Sequence, residues 1–247
     1  MHYAYTLGGL RISISDYVLK VNGKEAKASV RNAGEMGEVL YDRSWLKGKE
    51  AMQLYYMYRD IADFEKLRKY KVRYDITIMR PLRLGKELNK TLGHYHPVAE
   101  KGLSYPELYE VLDGEAIYLL QKPLHNGVEA VLINAKKGDK VLIPPNYGHI
   151  TINAGKKDLV MANLVSSVFE SNYKPILKKH GGAVYVLSDM LLALNRNYGD
   201  VHMHVLDNPG SFVFKARASL LDLFVLSPHK FRFLNKPSLL RLNLKKE

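Results

Sequence analysis

There is no cysteine among the 247 residues. Disulfides, thiolate zinc sites and cysteine nucleophiles are therefore excluded, and any metal must be held by nitrogen and oxygen ligands. Acidic residues are scarce: 25 Asp and Glu against 37 Lys and Arg leave a formal net charge of +12. No apolar run approaches the length of a membrane span, so no membrane association is expected. The opening "MHYAYTLGGLRIS" has no basic stretch leading into an apolar run. No secretory leader is expected, and a cytoplasmic location follows. There is no G-x-G-x-x-G, no P-loop and no alternation of strands with helices, which removes the usual nucleotide-binding folds. The basic excess is spread along the chain. It fits a Lys-rich surface or the attraction of an anionic substrate, and nucleic-acid binding is not expected. Its densest cluster, "KLRKYKVR" (66–73), alternates with apolar residues and reads as a strand with a solvated face.

What is present is a period of two. "VRYDITIM" (72–79) alternates Val72, Tyr74, Ile76 and Ile78 against Arg73, Asp75 and Thr77. Similar runs follow at 108–114, 116–121, 129–135, 139–144, 149–155 and 158–165. Asp113-Gly114, Asn126-Gly127, Lys137-Gly138, Pro144-Pro145-Asn146 and Ala154-Gly155 separate them. Short strands with turns at this spacing point to an all-β sandwich or barrel. A short helix is expected around "AGEMGEVLYD" (33–42). Residues 168–182 break the strand pattern. Beyond them "GAVYVL", "DVHMHVL", "SFVFKA", "LDLFVLS" and "KFRFLN" read as strands again. With 47% hydrophobic and 25% charged residues, the chain can bury one sizeable core.

The stretch "GHYHP" (93–97) places His94 and His96 two apart. In a strand such residues share a face, so the imidazoles converge. Glu107 in "YPELYEVLDG" and His149 in "IPPNYGHITIN" each stand at the head of a strand and can complete a three-histidine, one-carboxylate set. Such a set suits one divalent ion per chain with positions left for substrate: iron(II), manganese, nickel or zinc. A lone H-x-H carries little weight. His202 and His204 have no companions, and His125 beside Asn126-Gly127 reads as an exposed turn residue.

The spacing around these four residues resembles the two cupin motifs. The first is H-x-H, then Glu107, then Gly114; the second is Gly138, Pro144, His149 and Asn153. Asn146 stands where the second motif usually has glycine, and Asn tolerates left-handed backbone. The long gap from His96 to Glu107 reads as an insertion, "PVAEKGLSY", between two hairpin strands. The resemblance implies an all-β fold: a double-stranded β-helix, or jelly-roll barrel, with a short N-terminal helix. Residues 1–182 are expected to hold the barrel and its N-terminal strands, and 183–247 a β-rich extension packed on it.

A closer resemblance rests on "ASVRNAGEMGEVLYDRSW" (28–45), "TIMRPLRLGKELNKTLGHYH" (77–96), "PELYEVLDGEAIYLLQ" (106–121) and "VLIPPNYGHITINAG" (141–155). Together these runs are similar to the cupin-type glucose-6-phosphate isomerases of archaea. That resemblance implies a metal-dependent interconversion of glucose 6-phosphate and fructose 6-phosphate, in glycolysis and gluconeogenesis, by a homodimer. By the same resemblance His94, His96, Glu107 and His149 match the metal ligands. Thr77, Thr91 and Gly93 match the phosphate contacts, Tyr109 a tyrosine beside the sugar, and Tyr173 a late tyrosine of the site. An upstream tyrosine matches Tyr55, with Tyr58 as the alternative. Glu107 and Tyr109 are the expected catalytic pair, with Glu107 as the base candidate. Thr77 and Thr91 would lie beside the metal if segments 72–80 and 88–96 pair. Two departures stand out: Asn146 where the family often has tyrosine, and Ser171 in "FESNY" where it often has histidine. Another metal cupin, a dioxygenase or sugar epimerase, and a non-catalytic sugar-binding cupin stay open as readings at this point.

Overall fold

The alternation in Val72–Met79 sets the architecture. In the computed structural model, which describes residues 2–206, 213–214 and 216–240, Tyr74, Ile76 and Ile78 sit in an outer apolar cluster, whereas Met79 belongs to an inner one. Arg73, Asp75 and Thr77 share the inner face with Met79, as the period of two requires. The polar face of this strand therefore looks into the barrel, not into solvent.

Val72–Met79 lies in a seven-stranded sheet. The order is Val213–Phe214, Lys140–Ile143, Glu107–Asp113, Leu159–Ser166, Val72–Met79, Gln53–Tyr58 and Ser29–Asn32, antiparallel throughout. The facing sheet runs Gly148–Asn153, Glu115–Leu124, Gly127–Lys136 and Val201–Leu206, the last joined in parallel. The two form the jelly-roll barrel of a cupin.

Three apolar layers hold it. Val111, Tyr118, Val131, Val141 and Met161 pack between the sheets. The outer face of the larger sheet, with Leu108 and Leu164, is covered by Leu7, Ile12, Ile14 and Leu19 of an N-terminal meander and by Leu220, Leu221 and Phe224 of the Leu220–Leu226 helix. The outer face of the smaller sheet, with Ile117, Leu119, Ile150 and Ile152, is covered by Val184 and Val186. Strands covered on both faces lose the alternation of buried and exposed positions, and Leu159–Ser166 is buried at every residue. Each such aliphatic side chain contributes about 1.5–3 kcal/mol through burial.

Several local expectations are corrected. "KLRKYKVR" is not a strand with a solvated face. Glu65–Tyr70 is a helix with Leu67 as its buried residue, ended by Lys71 in the left-handed region (φ 51°), and the strand starts at Val72. "LDLFVLS" is the Leu220–Leu226 helix and "KFRFLN" lies in the Pro228–Leu234 3-10 helix. Ser219 caps the former, its hydroxyl accepting the Asp222 N–H at 3.1 Å. The expected helix near 33–42 is a 3-10 helix, Ala33–Val39, with a capping box between Asn32 and Glu35. Segment 88–96 does not pair with Val72–Met79; it runs antiparallel along Gly148–Asn153, with Lys90 opposite Ile152 and His94 opposite His149. Strands form at Val184–Val186 and Val201–Leu206 as expected. Of the expected strand at 211–216, Val213–Phe214 pairs with Lys140–Ile143; residues 211, 212 and 215, like 241–247 of the extension, lie outside the described residues.

Candidate functional site

Segment 88–96, the Gly148–Asn153 strand it runs along and one strand of the larger sheet bring four side chains together. His94 and His149 face each other across reciprocal backbone hydrogen bonds of 3.2 and 3.0 Å. His96 follows two residues on, and Glu107 heads the strand opposite. One ligand atom from each of His94, His96, Glu107 and His149 lies within 4.8 Å of every other. The Nε2 atoms of His94 and His96 are 3.2 Å apart. Glu107 Oε2 is 3.4 Å from His96 Nε2 and 3.3 Å from His149 Nε2.

The surroundings tune these groups for a cation. His96 Nδ1–H donates to the Tyr105 carbonyl at 2.8 Å, which leaves Nε2 with its lone pair toward the cluster. Asn163 Nδ2 donates to Glu107 Oε1 at 2.7 Å, while Glu107 Oε2 is buried without a hydrogen-bond partner. Burial holds His94 well below the ordinary imidazole range, with His149 and His96 adding to it. Burial likewise lowers His96 to about 4, against the pull of Glu107. For Glu107 burial works upward, but the nearby His149, then His96 and Arg73, outweigh it and keep the carboxyl below its usual value. Three imidazoles, with His94 and His96 held low by burial, beside a carboxylate with an orphaned oxygen form an N₃O donor set that fits a divalent cation.

The cluster borders a pocket of about 70 Å³ that His94, His96 and Glu107 help to line. Strand register arranges the wall of the larger sheet in rows. Glu107, Val165 and Arg73 form the first; Tyr109, Asn163 and Asp75 the second; Val111, Met161, Thr77 and Met57 the third. Rows are two residues apart along each strand, about 6.6 Å. The opposite wall supplies Thr91 and Gly93. Gly93 has φ +81°, and a Cβ there would meet Ile150 Cγ1 at 2.3 Å, so only glycine fits. Its N–H and the Thr77 hydroxyl have no hydrogen-bond partner among the described residues, whereas the Thr91 hydroxyl accepts from Thr151 N–H at 3.0 Å.

Every expected site residue lies in or beside this pocket. Tyr55 and Tyr173 line it, and the Tyr55 hydroxyl accepts from Leu92 N–H at 3.1 Å. Tyr58 does not; it packs in the outer cluster with its hydroxyl on Tyr17 and Leu19. The Tyr173 ring lies 5.5 Å from that of His94. Tyr109 OH is 3.2 Å from His149 Nε2, and burial, followed by the charge of Glu107, raises its pKa well above 10. His149 backs the cluster, buried. Ser171 lines the pocket. Asn146 adopts φ +69° as expected, and its Oδ1 also accepts the Ser104 N–H at 2.9 Å, a bond glycine could not make. His202, His204 and His125 are exposed and away from the site.

Four polar lining residues escape the motif search: Arg59, Arg73, Asp75 and Asn163. The signal for two of them was available, since Arg73 and Asp75 alternate with the same period as Thr77.

The comparisons with known proteins agree with this geometry. The family described as glucose-6-phosphate isomerase (GPI) matches residues 30–203. A glucose-6-phosphate isomerase of Thermococcus litoralis is 31% identical over 158 residues, 63% of this chain and 78% of its own length. That of Pyrococcus furiosus is 29% identical over 157 residues, 62% and 78% of the two chains. Among solved structures, a recombinant oxalate oxidase in complex with glycolate overlaps 49% of this chain and 56% of its own, with a TM-score of 0.39 and 18% identity; so distant a likeness carries no argument. The family match spans most of the barrel strands, all four clustered ligands and both pocket walls, and this chain belongs to the glucose-6-phosphate isomerase family.

Proposed function

We propose that this chain is a metal-dependent aldose–ketose isomerase that interconverts glucose 6-phosphate and fructose 6-phosphate. The observation that carries the reading is the convergence of His94, His96, Glu107 and His149 beside a pocket that also carries the Thr77 and Thr91 hydroxyls, the Gly93 amide and the charged side chains of Arg59, Arg73 and Asp75, in a chain of this family. A divalent ion held by those four side chains, whether iron(II), manganese, nickel or zinc, would supply a Lewis acid at the O1/O2 end of the sugar.

The chain's own groups divide the remaining work. Thr77, Thr91 and the Gly93 N–H hold the phosphate, with the Tyr55 and Tyr173 rings walling it in; each charge-assisted hydrogen bond contributes about 1.5–3 kcal/mol. Isomerisation moves one hydrogen between C2 and C1 and one proton between O2 and O1. Glu107 is the carboxylate placed to carry the former as a proton, and Asn163 on Oε1 keeps it oriented. Tyr109, protonated at neutral pH, stands beside Glu107 and His149 to hydrogen-bond the oxygens that exchange the latter. The net charge of +12 favours encounter with an anionic sugar. The enzyme would serve glycolysis or gluconeogenesis in the cytoplasm; among the described residues no helix is long and apolar enough to cross a membrane. It would act as a homodimer, for which the edge strand Val201–Leu206, with Met203 and Val205 exposed, offers a self-pairing surface.

The test is a coupled assay with each of the four metals on glucose, mannose and fructose 6-phosphates, beside metal analysis and light scattering. Isomerisation is expected with at least one metal. His149→Ala is expected to abolish stoichiometric metal retention along with turnover. No turnover with any metal, while the ion is bound, would refute the assignment.

A further inference from the structure

Arg73 and Asp75 form an ion pair on the pocket wall, with Arg73 Nε 2.9 Å from Asp75 Oδ2. Asp75 Oδ1 accepts the Asp60 N–H at 2.8 Å. Protein partners do not close this pair on all sides. The four Nη N–H donors of Arg73 have no acceptor among the described residues, and both residues line the pocket. A carboxylate accepts about four hydrogen bonds, and Asp75 has used two. The pair thus presents spare donors and spare acceptors side by side. The neutral group that satisfies both at once is a hydroxyl, and two adjacent hydroxyls satisfy them best.

Its place in the rows says which hydroxyls. Glu107 and Arg73 share the row at the metal cluster, Thr77 lies two rows on, and Asp75 is midway. A sugar phosphate laid with its reacting carbons at Glu107 and its phosphate at Thr77 brings its middle to Asp75. We propose that Arg73 and Asp75 are specificity-determining residues that read the vicinal hydroxyls on C3 and C4 of the sugar phosphate. This rests on the phosphosugar reading above and adds to it the contacts that distinguish one hexose phosphate from its epimers and deoxy analogues. A site built to hydrogen-bond a hydroxyl discriminates strongly against a ligand without it, because its buried polar groups are left unpaired.

The experiment compares fructose 6-phosphate with its 3-deoxy and 4-deoxy analogues on metal-loaded wild type, Asp75→Asn and Arg73→Met. Each substitution is expected to lower kcat/KM for fructose 6-phosphate about 10- to 100-fold, yet to change it less than about threefold for at least one deoxy analogue. Metal content per chain should equal that of wild type in both. Arg73→Met leaves Asp75 on the Asp60 N–H, so it carries the test alone if Asp75→Asn does not fold. Equal falls on all three substrates, unchanged kinetics with fructose 6-phosphate, or loss of metal would overturn the inference while wild-type turnover keeps the isomerase reading. Absence of wild-type turnover would overturn both.

Discussion

Asn163 offers a sharp test of how the metal cluster is built. It lies 56 residues from Glu107 in sequence, and its amide donates to Glu107 Oε1 at 2.7 Å. Asn163→Leu keeps the branching at Cγ and removes that donor. A hydrogen bond to a charged group is worth about 1.5–3 kcal/mol, and at about 1.4 kcal/mol per decade its loss should weaken metal binding about 10- to 100-fold. That is the range typical of a residue that orients a ligand without touching the ion. The metal-free protein should also lose about 1–3 kcal/mol, since Glu107 Oε1 is left buried and unpaired. Chelator competition with manganese at pH 7 and denaturant unfolding of the metal-free protein measure the two effects. Ser166→Ala is the control: it is on the same strand, but its hydroxyl bonds Asn235 at 2.7 Å. It should lower stability and leave metal affinity alone. Metal affinity of Asn163→Leu within threefold of wild type would refute the reasoning.

Three further outcomes are expected. Because burial holds folded His96 near 4 and His94 low as well, the unfolded chain binds protons below about pH 6.5 that the folded chain refuses. Metal-free stability should be complete above pH 6.5 and fall toward pH 4, with about 3 kcal/mol lost through His96; equal urea midpoints at pH 6.5 and 4 would contradict it. Thr77→Val should raise KM more than it lowers kcat in steady-state assays, since a phosphate contact is similar in ground and transition states. Phe224→Ala should cost about 3–5 kcal/mol in denaturant unfolding, because Phe224 is fully buried against the outer face of the larger sheet, and should leave metal affinity unchanged.

The metal cluster is legible in the sequence because its ligands sit at strand heads inside two spaced motifs, and spacing survives without coordinates. The barrel strands are legible for the same reason, through their turns. Arg59, Arg73, Asp75 and Asn163 are harder, because only the closing of the sheet decides which face of a doubly covered strand looks inward. In Val72–Met79 the apolar side faces the outer layer, so the alternation is visible but its direction is not. The helix at 220–226 misleads in another way: Leu221, Leu223 and Val225 mimic a strand, while the buried set is Leu220, Leu221 and Phe224. The signal that outweighs the mimicry is Ser219 three residues before Asp222, a helix cap. "KLRKYKVR" fails similarly, since a six-residue helix is shorter than two periods and its pattern is not distinguishable from alternation.

The insertion between His96 and Glu107 has a consequence well away from the pocket. It folds as a small hairpin, Val98–Glu100 with Leu103–Ser104. Ser104 is tied to Asn146 by bonds of 2.9 and 2.7 Å, and Glu100 Oε1 accepts from Ser238 N–H and Oγ–H at 3.1 and 2.6 Å. The next residue, Tyr105, is the one whose carbonyl fixes the proton on His96. A continuous series of hydrogen bonds thus runs from Ser238 through the hairpin to the residue whose carbonyl decides which nitrogen His96 offers.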